Sequence, residues 1–243
     1  MNFTRCGLVL VVFALLISAC APVFEFGLTP KTQNNHPLLK YLALGDSYTV
    51  GEGIRKEDSL PNQLVNALKE DGYSFGEPVV IARTGWTTDE LIRALEDNPP
   101  EGTYDLVTLL IGVNNQFRGY SPAIYRSEFK ELLYRSIQFA GNHSTCVIVL
   151  SIPDWGFTPF AEMMGLNRTQ VSLEIDQFNQ INQEEAEVAG VKYVNITAIS
   201  RRAVDEPDLI AGDGLHPSGI MIQAWVEQIL PEVKLCLNEK QKE

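Results

Sequence analysis

The stretch Leu42-Ala43-Leu44-Gly45-Asp46-Ser47-Tyr48-Thr49-Val50-Gly51 decides how this chain reads. An apolar run stops abruptly at Gly-Asp-Ser, a glycine follows four residues after the serine, and a helix-forming segment comes soon afterwards. Physically this is the end of a buried strand and a tight turn that leaves a serine hydroxyl at the edge of a sheet. The triplet is also an ordinary turn composition, so alone it fits a plain turn as well as a nucleophile. Its flanks separate the two.

C-terminal to it, apolar strand runs and amphipathic helices alternate. Residues 40–44 predict the first strand, and a helix opening at Ser59-Leu60-Pro61 puts Leu60, Leu64, Val65 and Leu68 on one face before Asp71-Gly72 closes it. A second strand at 78–82 leads through Arg83-Thr84-Gly85-Trp86 to a helix capped by Thr87 or Thr88, with Asp89 and Glu90 in its first turn and Asn98-Pro99-Pro100 as its stop. Residues 105–111 are nearly all apolar, as expected of a strand covered on both faces, and end at Gly112-Val113-Asn114-Asn115. Helix 124–140, strand 145–151, helix 172–189, strand 191–196 and helix 218–230 complete the pattern. Five such alternations predict one three-layer α/β/α domain on a five-stranded, largely parallel sheet, spanning 39–235 with a tail at 236–243. Right-handed crossovers then bring the loops at Ser47, Gly85, Asn114 and Trp155 to one edge, where open sheets build their sites.

N-terminal to the stretch the character changes. Residues 8–17 are almost continuously apolar behind Arg5, too short a run for a membrane span and suited to a secretory signal over 1–19. Its end, Ile17-Ser18-Ala19-Cys20, is similar to the lipobox of bacterial lipoproteins, which implies a lipidated Cys20, an exported protein and anchorage to a membrane of the cell envelope. Residues 20–38 carry prolines and asparagines without periodicity and read as a tether or lead-in. Cys146 and Cys236 fall in apolar contexts; export permits a bridge, and simple burial is the alternative. The net charge of −12 over 243 residues argues against a nucleic-acid partner.

Acyl transfer needs a nucleophile, a base, a group that orients the base, and donors for an oxyanion. Of the three histidines, His36 lies in the lead-in and His143 before the fourth strand, which leaves His216, with Asp213 three residues earlier to hold its tautomer; taken alone, the pair fits equally a turn capped by Asp213 beside a surface histidine. Gly85 can offer an unobstructed N–H, Asn114 its side-chain amide, and Ser47 its own backbone N–H. No Cys and His clustering suggests zinc, and no metal or cofactor is expected.

Together these segments resemble the SGNH, or GDSL-type, hydrolases over about residues 40–230. Gly45-Asp46-Ser47 with Gly51 is similar to the first family block and implies Ser47 as nucleophile. Gly85 corresponds to the second and implies an oxyanion N–H, and Gly112-Val113-Asn114 to the third, with Asn114 as the side-chain donor. Asp213-Gly214-Leu215-His216 corresponds to the fifth and implies the rest of a Ser-His-Asp triad. The family usually has aspartate after its asparagine; this chain has Asn115, to which no catalytic role is given. The resemblance implies a serine esterase, lysophospholipase-like or selective for short or medium acyl chains. The alternatives are a carbohydrate O-acetylesterase and a catalytically silent glycan-binding protein. Tyr48, Phe117, Tyr120, Trp155, Phe157, Phe160, Met163 and Met164 either line its substrate pocket or pack a loop. Its ligand is expected to be a small-molecule, glycan or lipid ester.

Overall fold

A computed structural model describes residues 38–240. The signal segment, Cys20 and most of the lead-in lie outside the described residues. Five strands form one wholly parallel sheet in the order β2-β1-β3-β4-β5: β1 (Tyr41–Gly45), β2 (Val79–Ala82), β3 (Leu106–Leu110), β4 (Val147–Leu150) and β5 (Lys192–Val194). Every residue of β1, β3 and β4 is buried, because these central strands are covered on both faces. The edge strand β2 is half open, with Val79 and Val80 each 41% exposed.

The helices are α1 (Ser47–Val50), α2 (Leu60–Glu70), α3 (Thr88–Asp97), α4 (Val113–Phe117), α5 (Pro122–Phe139), α6 (Pro159–Met163), α7 (Arg168–Ala189), α8 (Thr197–Ser200) and α9 (Gly219–Lys240). Their contacts sort the long ones into two layers: α2 with α9, and α3 with α5 and α7. Thr87 opens α3, and its N–H donates to the Glu90 carboxylate at 2.9 Å, closing a capping box. The registers align Gly45 with Ala82 on one side and Leu110 on the other, so three chains leave the sheet at the same level. This level is where the site is built.

One sequence expectation needs correction, and one open alternative is resolved. Helix α9 runs through Pro231 to Lys240, so residues 236–240, expected as tail, are helical. Proline normally ends a helix, but the apolar face continues past it in Val233, Cys236 and Leu237, all buried. The two cysteines are also bridged: Cys146, directly before β4, is joined to Cys236 across a Cα separation of 5.2 Å. Among the described residues no helix is long and apolar enough to cross a membrane.

Candidate active site

Ser47 is placed by the end of β1. A side chain at Gly45 would collide with the Leu110 carbonyl and Thr49 Oγ1, so glycine alone lets the chain turn this close to β3. Asp46 then caps α1, its Oδ1 accepting the Tyr48 N–H at 3.0 Å. It is fully buried, and that burial pushes its carboxyl up to about 7 against the lowering effect of the Tyr48 N–H. Ser47, 5% exposed, is the first residue of α1, where backbone N–H groups have no acceptor inside the helix.

The late loop closes on itself. Ala211 N–H donates to the His216 carbonyl at 2.8 Å, and Ile210 and Pro217 form an antiparallel bridge. Inside it Asp213 Oδ1 accepts the N–H groups of Leu215 and His216, each at 2.9 Å, while Oδ2 stands 2.7 Å from His216 Nδ1. Partial burial would raise the Asp213 carboxyl, but the two backbone donors and the imidazole outweigh it and hold it below the usual range. The opposite wall of this carboxylate is Gly53, at φ +78°, where a Cβ would lie 2.7 Å from Asp213 Oδ2. Tyr48 meets the His216 ring edge-on, with centroids 6.0 Å apart, and stands on Trp225 in the core at 6.2 Å.

Gly85 and Asn114 come from the loops after β2 and β3. Gly85 sits in a turn at φ +87°, and Asn114 Nδ2 donates to the Trp86 carbonyl at 2.9 Å, which orients the amide and leaves its second N–H. Asn115 is fully buried and exchanges two hydrogen bonds with Thr88, from the Thr88 N–H at 3.0 Å and to Thr88 Oγ1 at 2.7 Å. It ties the third loop to the start of α3, a structural task.

A cavity of about 210 Å³ joins these parts, lined by Ser47, Asn114 and His216 with Tyr48, Val113, Phe117, Trp155, Phe160 and Leu215. Trp155 is fixed there because its indole N–H donates to Gln116 Oε1 at 2.8 Å. Its loop is pinned by the buried Asp154, which accepts from Arg201 Nε at 2.9 Å and Ser172 Oγ at 2.7 Å. Phe157, expected in the pocket, is not there: the 3₁₀ turn Trp155–Phe157 rotates it away from Trp155, and its ring packs beneath Arg168 at 4.9 Å. Tyr120 and Met163 also stand outside the cavity, and Met164 lines a neighbouring groove with Leu166 and Val171. No sequence spacing marks Gln116, whereas the second glycine two residues after Gly51 is a local cue to Gly53. Among the described residues no group of three His, Cys, Asp or Glu side chains could hold a metal ion.

Comparison with known proteins is consistent with this geometry. The model of the GDSL-like lipase/acylhydrolase family matches residues 43–221. An arylesterase of Vibrio mimicus is 24% identical over 196 residues, covering 79% of this chain and 86% of the relative. Among solved structures, TesA superposes with a TM-score of 0.65 at 19% identity, covering 82% of this chain and 99% of its own. Axe2, an acetylxylan esterase from Geobacillus stearothermophilus, gives 0.63 at 18% identity, over 80% of this chain and 94% of its own. By its match to the family model over residues 43–221 and its sheet, the chain belongs to the GDSL-like lipase/acylhydrolase family and is a carboxylic ester hydrolase.

Proposed function

We propose that the protein hydrolyses esters of short or medium acyl chains through a Ser47-His216-Asp213 triad and a covalent acyl-enzyme. The observation that carries this reading is the 2.7 Å Asp213–His216 pair opening onto the cavity that Ser47 and Asn114 also line. His216 takes the Ser47 Oγ proton as that oxygen attacks the ester carbonyl, and Asp213, ionised at neutral pH, holds Nδ1–H and stabilises the imidazolium. The N–H groups of Ser47 and Gly85 and the free amide N–H of Asn114 receive the oxyanion. His216 then passes its proton to the leaving alcohol oxygen, and the same nitrogen deprotonates a water that attacks the acyl carbon, releasing the acid and restoring Ser47.

The apolar part of the lining, Val113, Phe117, Trp155, Phe160 and Leu215, favours an acyl or aryl group over a bare sugar. We further infer that the protein is exported and anchored at Cys20. The support is the signal-like segment together with the Cys146–Cys236 bridge, since such bonds persist in oxidising compartments. Covalent labelling by a fluorophosphonate tests the chemistry. Wild type should label and Ser47→Ala should not; well-folded protein that neither labels nor turns over any ester refutes the triad. A chain-length series of aryl esters beside lysophospholipid and acetylated xylo-oligosaccharides tests the substrate, and preference for acetylated sugars with poor turnover of longer acyl chains would overturn the reading of the apolar lining as an acyl or aryl pocket.

A further inference from the structure

Two side chains, one in the short helix α4 and one at its C-cap, grip consecutive carbonyls of the Gly85 turn. Asn114 Nδ2 donates to the Trp86 carbonyl at 2.9 Å, and Arg118, the residue that closes α4, donates from Nη2 to the Gly85 carbonyl at 2.6 Å. The other guanidinium nitrogen, Nη1, meets Glu90 Oε1 at 3.3 Å. Glu90 in turn accepts the Thr87 N–H at 2.9 Å. The guanidinium also lies against the open face of the glycine, where a Cβ would have Nη2 as its neighbour at 3.7 Å.

We propose that Arg118 is a positioning residue for the oxyanion hole, locking the Gly85 turn so that its N–H stays aimed at the reacting carbonyl; this rests on the reading of Gly85 as an oxyanion donor. Glycine is the residue whose peptide planes rotate most freely, and at φ +87° no side chain restrains it. A donor that must be in place before charge develops cannot depend on such a joint alone. The charge-assisted bond from Arg118 holds the carbonyl of the peptide following Gly85, whose N–H donates to the Arg83 carbonyl at 3.1 Å, and the Asn114 bond holds the next peptide. The Gly85 N–H, in the preceding peptide, is thus aimed through a turn fixed on its far side. Seen only as a surface ion pair, Arg118 with Glu90 would matter little, since both side chains are substantially exposed. What sets it apart is the neutral acceptor it chooses.

The test compares Arg118→Ala, Arg118→Lys and Glu90→Gln with wild type on a short-chain aryl ester, with thermal unfolding measured in parallel. Arg118→Ala should lower kcat roughly 10- to 100-fold with KM changed less than about twofold, as expected for loss of alignment at an oxyanion donor. Because the site is exposed to solvent, millimolar guanidinium or ethylguanidinium should restore part of that loss, and ethylammonium should restore less. Arg118→Lys should fall between wild type and Arg118→Ala, and Glu90→Gln should keep most of the activity because the bond to Gly85 survives it. A kcat for Arg118→Ala within about twofold of wild type overturns the proposal. So does a rise in KM at constant kcat, which would make Arg118 a substrate contact, or a kcat loss that guanidinium leaves untouched. Failure of wild type to label or turn over would strike the triad itself and is scored separately by the Ser47→Ala comparison.

Discussion

Removing both bridged cysteines, as Cys146→Ala/Cys236→Ala, should cost stability without touching catalysis. The bond closes a loop of 90 residues in sequence, and the chain-entropy relation for a loop of that length gives about 4.6 kcal/mol at 25 °C. Both sulfur positions are buried, so truncation adds a small packing loss to this figure. For a domain of roughly 200 residues each kcal/mol moves the midpoint by about 2–4 °C, so the variant should melt roughly 9–18 °C below the oxidised wild type. Circular dichroism melts under oxidising conditions, with reduced wild type as the comparator, read this directly. Ester turnover at 20 °C should be nearly unchanged, because Cys146 precedes β4 and lies at the edge of the sheet opposite to Ser47. A double variant melting within about 3 °C of oxidised wild type would refute the reasoning, since a bridge closing so long a loop cannot be that weak on this account.

Two more expectations follow from the site. Gly53→Ala forces a methyl group against Asp213 Oδ2 at a φ of +78°, so kcat on an aryl ester should fall roughly 10- to 100-fold, and wild-type turnover would show that the Gly53 turn yields instead. Asp46→Asn should stabilise the fold at pH 8: a carboxyl near 7 when folded and near its ordinary value when unfolded favours the folded state below pH 4, loses that advantage progressively up to pH 7, and stays at the lower level above it. The gain, up to roughly 4 kcal/mol at pH 8 and shrinking towards pH 4, should appear in urea midpoints; equal gains at both pH values would rule out titration of Asp46.

Much of the fold is written in short-range patterns. The stop at Gly45-Asp46-Ser47, the apolar run before Gly112 and the helix faces such as Leu60, Leu64 and Leu68 are local consequences of burial, and the observed β1, β3 and α2 follow them. Ser47, Asn114 and His216 line one cavity because parallel strands deliver successive loops to one edge. What stayed hidden is contact between distant loops. Arg118 gripping Gly85, Gln116 holding Trp155 and Gly53 backing Asp213 are meetings of residues with no characteristic spacing. Phe157 shows the same limit from the other side, since one turn of 3₁₀ geometry decides which of two nearby aromatics faces the cavity.

A single carboxylate, Asp105 at the foot of β3, receives both the backbone N–H of Lys40, at 2.9 Å, and the ammonium of Lys240, at 3.2 Å. The first and last elements of the fold are thus fastened side by side, at the end of the strands away from Ser47. Five strand residues at about 3.3 Å each put more than 15 Å of sheet between that fastening and the nucleophile. A fusion partner or a solid support joined directly at Lys40 or Lys240 of a domain trimmed to those residues therefore attaches at the end of the sheet away from Ser47. A short linker across the same gap would allow the chain to be reopened elsewhere, as a circular permutant that keeps every residue of the site in its place.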